Sequence, residues 1–219
     1  GKEIILVSSG AVGLGASKLG LTSKPTNTPT KQAAAAVGQC ELMYIYDGLF
    51  DDYNVTIAQI LLTKTIIENE RKKNVENTFE RLLSLGVIPI VNENDTVAID
   101  ELELEIGEND SLSAIVATIA KAELLIILSD IDGLFDNDPH KCEGACLIPV
   151  VTEITSDIER IAGGAGSDFG TGGMATKINA AKIANEAGID MIVMNGDNPK
   201  LLYDLFENKS IGTIFLAKK

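Results

Sequence analysis

Thr171-Gly172-Gly173-Met174-Ala175-Thr176-Lys177 brings two glycines, two hydroxyls and a lysine to the start of a predicted helix. Backbone N–H groups, the positive end of the helix and the Lys177 ammonium converge there, and phosphate is the natural ligand of such a site. A flexible glycine loop with an incidental lysine is the structural alternative. A second Gly-rich turn, Ser8-Ser9-Gly10-Ala11-Val12-Gly13-Leu14-Gly15, sits between an apolar run and Ala16-Ser17-Lys18-Leu19. It could cradle an anion with backbone N–H groups or serve close strand–helix packing. Its G-x-x-G-x-G spacing is not the dinucleotide fingerprint, and no Walker A motif occurs. Two Asn/Asp clusters complete the set. Asn92-Glu93-Asn94-Asp95-Thr96 follows the apolar run Val87–Val91, and Gly107-Glu108-Asn109-Asp110-Ser111 opens a helix reading Leu112, Ala114, Ile115 and Ile119. Strand ends and helix starts are where open α/β sheets bind ligands. One such cluster reads equally well as a solvated turn; two, joined by a short acidic excursion (Asp100 to Glu105), favour a site. His140, Cys142 and Cys146 lack an evident fourth ligand, so no metal residues are assigned. Ser129–Phe135 fails the EF-hand pattern.

These residues need elements to hold them. Apolar runs of strand length lie at Glu3–Val7, Val55–Leu62, Val87–Val91, Glu123–Leu128, Met191–Met194 and Gly212–Leu216. Helical patterns lie between them. Lys31–Phe50 places Ala34, Val37, Leu42, Ile45 and Leu49 near one face, and Glu68–Leu85 turns Val75, Phe79, Leu82 and Leu83 inward. Gly86 caps the latter helix. A short turn at Asp157–Ile161, the helix carrying Ile178, Ala181, Ala184 and Ala187, and Pro199–Glu207 complete the series. Strands alternating with helices predict an α/β fold with a mainly parallel sheet and helices on both faces. No repeat or linker interrupts it, so one domain is expected.

Composition narrows the partners. The 219 residues are 45% hydrophobic and only 5% aromatic, so the core is Ile, Leu, Val and Ala. A net charge of -14 argues against nucleic acid and anionic membranes as partners. A polyanionic substrate then needs local cations or Mg²⁺. Three cysteines make no disulfide framework and fit a reducing cytosol. No apolar run approaches the ~20 residues that span a bilayer, and no signal peptide is visible. The chain starts at Gly1 almost directly in a strand, so an upstream piece is expected.

Ser8-Ser9-Gly10-Ala11, Ala36-Val37-Gly38-Gln39, Val91-Asn92-Glu93-Asn94-Asp95, Gly107 through Ala114, Leu128-Ser129-Asp130-Ile131-Asp132-Gly133-Leu134 and Gly170 through Lys177 occur in that order. The set resembles the amino acid kinase family over nearly the whole chain. The Asn-Glu-Asn-Asp and Gly-Glu-Asn-Asp-Ser-Leu-Ser pair resembles in particular the members that phosphorylate free L-glutamate. The resemblance implies a three-layer α/β sandwich and ATP-dependent transfer of a phosphoryl group to the glutamate side-chain carboxylate. That reaction is the first step of proline synthesis, with Mg²⁺ bridging the phosphates. It also implies a cytoplasmic homo-oligomer open to feedback inhibition by proline. Ser9, Asp95 and Asn109 match glutamate-binding positions. Ser129, Asp130 and Thr171, Gly172, Gly173, Met174, Ala175, Thr176 and Lys177 match ATP-binding ones. Asp110 matches the acid that orients active-site lysines, and Lys177 the lysine facing the transferred phosphoryl. The chemistry agrees: Asp95 can pair with the substrate ammonium, while Asn109 and Ser9 can bond carboxylate oxygens without adding charge. Family members begin with a further strand and a Lys-x-Gly-Ser/Thr loop upstream of the segment matching Ile4–Val7, and many carry a C-terminal PUA domain. Residues 1–219 are therefore expected to be the kinase domain without its N-terminal strand, and a poor kinase alone. Two alternatives stand beside this reading: another amino acid kinase, acting on acetylglutamate or carbamate, and a non-catalytic amino-acid-binding regulatory module. A Rossmann dehydrogenase lacks its fingerprint here.

Overall fold

The computed structural model describes residues 1–63, 70–97, 109–139, 141–163, 173–207 and 209–218. The sequence shows no internal boundary, yet in space the chain falls into two compact units, Gly1–Asn109 and Asp110–Lys219.

The first unit is built on a three-stranded parallel sheet. Its strands are β1 (Leu6–Val7), β2 (Ile57–Leu62) and β3 (Ile88–Glu93), in the order β1-β3-β2. Ile90 and Val91 in the middle strand are almost fully buried, as parallel strands flanked on both edges usually are. Register is set by Leu6 opposite Ile90 and by Gln59 opposite the same residue on the other edge. The strand expected over Glu3–Val7 pairs only at its last two residues, and Ile4 is half exposed.

Three helices join these strands: α1 (Ala11–Lys18), α2 (Thr28–Asp51) and α3 (Glu70–Ser84). The second starts three residues earlier than its apolar pattern suggests. Asn27 caps it by accepting a hydrogen bond from the Thr30 N–H at 2.9 Å, and Pro29 fits the first turn because no N–H is needed there. The third buries Phe79 and gives way to Gly86 at φ +72°. The first two pack closely. A Cβ on Gly15 would lie 1.7 Å from the Ala34 carbonyl oxygen, and one on Gly38 would lie 1.7 Å from that of Ala11. Gly15 thus serves helix–helix packing, where strand–helix packing was the alternative to an anion cradle.

The second unit carries α4 (Asn109–Ala120), whose first residue closes the first unit, then β4 (Leu124–Ser129), β5 (Val150–Val151), α5 (Ser156–Ala162), α6 (Met174–Glu186), β6 (Asp190–Asn195), α7 (Leu201–Phe206) and β7 (Thr213–Phe215). Strand order is β4-β6-β7-β5, parallel except between β6 and β7. Its core joins Ala114 and Ala117 to Leu125, Ile127, Met191, Val193 and Phe215, with Ile178, Ala181 and Ala184 from α6. Ala187, expected on the same face, is exposed because the helix has ended by then. Small residues on α4 and α6 fit a core poor in aromatics, where helices can approach closely.

Candidate active site

Each unit gathers polar groups at the ends of its strands. In the first, β1 runs into Ser8, whose N–H donates to the Val91 carbonyl at 2.8 Å. The Ser8 hydroxyl meets Tyr46 Oη at 2.9 Å, which ties this turn to α2. Ser9 is exposed, and Gly10 adopts φ +97°, a left-handed conformation that only glycine takes without strain. The helix α1 starts at once, with its first N–H groups lacking intrahelical partners. The Gly-rich turn is therefore one left-handed glycine and a helix start; Gly13 and Gly15 already lie inside the helix.

The end of β3 supplies the other wall. Asn92 is buried, donates Nδ2 to Gln39 Oε1 at 3.0 Å and accepts from the Glu93 N–H at 2.9 Å. Beyond it the chain turns through Asn94, Asp95 and Thr96, with the Asn94 N–H held by the Leu62 carbonyl at 2.8 Å. A small cleft opens here, lined by Ala11, Gln39, Glu93, Asn94, Asp95 and Thr96 among others. Burial pushes the Asp95 carboxyl above its ordinary value, since taking charge out of water favours the neutral acid. A cation placed against it would reverse that shift. Of the expected glutamate-binding residues, Asp95 lines the pocket. Ser9 lies on the turn just before Ala11, and Asn109 is half-buried as the first residue of α4.

In the second unit, two helix starts meet. Asp110 stands in the first turn of α4 and Lys177 in the first turn of α6. Lys177 Nζ lies 3.1 Å from Asp110 Oδ2, and the one proton of the Thr176 hydroxyl is shared between the same oxygen at 2.8 Å and the Gly173 carbonyl at 2.7 Å. The side chains are 8% and 18% exposed, so this is a largely desolvated ion pair, held by charge-assisted hydrogen bonds. Among the described residues no side chain caps the helix start at Gly173, which leaves the Met174 and Ala175 N–H groups for a ligand, while the Thr176 N–H donates to the Gly173 carbonyl at 3.1 Å. Met174 and Thr176 are half-buried, and Gly173 and Ala175 are exposed. Thr171 and Gly172 lie outside the described residues, as do Gly107, Glu108 and His140.

Ser129 and Asp130 follow the end of β4, with Ser129 Oγ donating to Asp130 Oδ1 at 3.1 Å. Two residues on, Asp132 accepts from Asn195 Nδ2 at 2.9 Å, from the end of the neighbouring strand. Gly133 is required by close approach, since a Cβ there would lie 2.6 Å from Thr213 Oγ1. That hydroxyl, fully buried, accepts from the Leu134 N–H at 2.8 Å and donates to the Ile148 carbonyl at 2.6 Å. The loop carrying Ser129 and Asp130 is thereby locked to the sheet.

Sequence reasoning assigned no role to Gln39, Asn92, Tyr46 or Asn195. Gln39 had a signal: it is a polar side chain on the face of α2 that otherwise buries Ala34, Ala35, Gly38 and Leu42.

Comparison with known proteins bears on these groups. Residues 1–195 match the model of the amino acid kinase family. The chain is 56% identical over 222 aligned residues to glutamate 5-kinase of Clostridium perfringens, covering 100% of this chain and 82% of that one. It is 54% identical to glutamate 5-kinase of Clostridium tetani, with the same coverage. Among solved structures, uridylate kinase from Archaeoglobus fulgidus shares the fold with a TM-score of 0.62 at 16% identity, over 98% of this chain and 85% of that one.

Proposed function

The chain belongs to the amino acid kinase family, and from that premise we propose that it performs the glutamate 5-kinase reaction. ATP gives up its γ-phosphoryl group to the side-chain carboxylate of L-glutamate. A carboxylate oxygen forms the new bond to phosphorus, the bond to the β,γ-bridging oxygen breaks, and ADP leaves with that oxygen. The product is an acyl phosphate, γ-glutamyl phosphate.

The observation that carries this reading is the buried Lys177–Asp110 pair at two helix starts. A glutamate side chain is already ionised at neutral pH, with an ordinary pKa of about 4.3, so the nucleophile needs no general base. What the transfer needs is charge stabilisation and alignment. Lys177 supplies the charge. Asp110, holding Lys177 Nζ and the Thr176 hydroxyl on one oxygen, fixes its direction. The N–H groups opening α6, together with Thr171 to Thr176, hold the nucleotide phosphates, and Ser129 and Asp130 complete the nucleotide's contacts. Asp95 pairs with the substrate ammonium, while Ser9 and Asn109 bond its carboxylate oxygens.

Among the described residues no group of three or more Asp, Glu, His or Cys side chains could cage a metal ion. Mg²⁺ therefore fits as an ion carried by the phosphates, as is usual for kinases, where it neutralises charge on their oxygens. Residues 1–219 form the kinase domain. Feedback by proline, a homo-oligomeric state and a cytoplasmic location belong to the same reading and are supported by the sequence resemblance. No helix among the described residues is long and apolar enough to cross a membrane.

A substrate panel tests the proposal. The complete protein, given Mg²⁺ and ATP, should release ADP with L-glutamate and not with acetylglutamate or carbamate. Turnover on either of the latter two in preference to glutamate would reject it.

A further inference from the structure

The buried face of α2 carries one polar side chain, Gln39, which is 8% exposed. Its amide orientation is dictated from the backbone outward. The Glu93 N–H can only donate, so the Asn92 side-chain atom 2.9 Å away is its oxygen. Asn92 therefore turns its NH₂ group toward Gln39, and at 3.0 Å Gln39 must answer with its own oxygen. That leaves Gln39 Nε2 pointing away from Asn92. It is buried, can only donate, and has no hydrogen-bond partner among the described residues. Buried donors are rarely left unpaired in native folds, and those that are call for a reason. Gln39 also lines the pocket that holds Asp95 and Ala11.

We propose that Gln39 is a substrate-binding residue whose Nε2 donates a hydrogen bond to the α-carboxylate of the amino-acid substrate. The proposal rests on the glutamate reading above. An α-amino acid carries an ammonium and a carboxylate on the same carbon. The pocket offers a matching pair: the Asp95 carboxylate for the ammonium, and for the carboxylate the Gln39 donor beside the positive end of α1 at Ala11. The side-chain carboxylate is a poorer match, because a donor fixed on the attacking oxygen would hold back the lone pair that must reach phosphorus. The Asn92–Gln39 relay thus transmits the polarity of a backbone N–H in β3 to the substrate pocket, and it makes the pocket reject ligands with a donor in that place.

Gln39→Glu tests this in the complete protein. The substitution is nearly isosteric and keeps an oxygen for Asn92, but it replaces the Nε2 donor with an acceptor. Glutamate binding is measured by calorimetry, independently of turnover, beside KM and kcat. The dissociation constant and KM for glutamate should rise about tenfold or more, as when a hydrogen bond to a charged group is lost. Affinity for ATP with Mg²⁺ should hold. Wild-type protein should prefer glutamate to its α-amide, and the variant should lose that preference. Gln39→Met, uncharged and of similar size, should weaken glutamate binding as well, which guards against an effect of the buried carboxylate alone. If Gln39 only supports Asn92, Gln39→Glu keeps the wild-type KM and the preference over the α-amide, and the proposal is overturned while the glutamate reading stands. Wild-type protein that binds no glutamate overturns both.

Discussion

In the proposed reaction Lys177 and Asp95 do opposite jobs, and their surroundings differ accordingly. Lys177 is desolvated but compensated, with Asp110 Oδ2 at 3.1 Å. A charge held ready in a dry site stabilises charge developing in the transition state without reorganising at the moment of reaction. Lys177→Ala should therefore lower kcat by about a hundredfold or more, the usual cost of removing such a group. Steady-state assay of the complete protein decides it, and near-normal turnover would take Lys177 out of the mechanism. Asp95 is desolvated with its carboxyl pushed up, so the fold bears a cost for keeping it ionised. A carboxyl whose folded pKa exceeds its unfolded one leaves stability intact below the unfolded value and erodes it as pH rises through the folded value. Asp95→Asn should accordingly melt at a higher temperature than wild type at neutral pH, with the gap closing as pH falls through the carboxylate range. The same variant should bind glutamate more weakly and ATP unchanged. Melting curves at neutral and acid pH, set beside KM values, check both halves. A variant less stable than wild type at neutral pH, or one with an altered ATP constant alone, would misplace Asp95.

At the scale of elements, the glycines of the first turn separate by role. Gly15 and Gly38 let α1 and α2 approach until backbone meets backbone, whereas Gly13, in the same helix, has nothing within 4 Å of where a Cβ would go. Gly15→Ala and Gly38→Ala force two helix backbones apart and should each cost about 3 kcal/mol or more, roughly 6–12 °C in Tm for a chain of this size. Gly13→Ala should be neutral or raise stability by about 0.4–1 kcal/mol, since Ala suits a helix better. Thermal melts of the three variants settle the matter, and equal losses at all three would refute the packing account. Both α1 and α2 line the pocket that holds Asp95, through Ala11 and Gln39, so their spacing sets its width.

For the molecule as a whole, periodicity reached the α/β class, the long elements and their order. It did so because those strands are near-continuous apolar runs and the helices are long enough to show a face. It failed where the signal is short or non-local. Val150–Val151 is too brief to register, and nothing local tells Thr213–Phe215 to run antiparallel to β6. Glu3–Val7 reads as five strand residues, but pairing reaches only Leu6 and Val7. The division at Asn109 leaves no mark in composition because it falls at the start of a helix. Among the candidate residues, Lys177 and Asp95 could be singled out because charge stands out at a helix start or in a turn. The pairing of Gln39 with Asn92 could not be read, because the bond joining them spans 53 positions. The central claim is chemical: an oxygen of the glutamate side chain, and not water, attacks the γ-phosphorus of ATP. Labelling both side-chain carboxylate oxygens of glutamate with ¹⁸O and trapping the product with hydroxylamine tests it most directly. Hydroxylamine attacks the acyl carbon and expels phosphate with the bridging oxygen. The complete protein should yield glutamyl hydroxamate and phosphate carrying one ¹⁸O per molecule, whereas unlabelled phosphate, with no hydroxamate, would contradict the account.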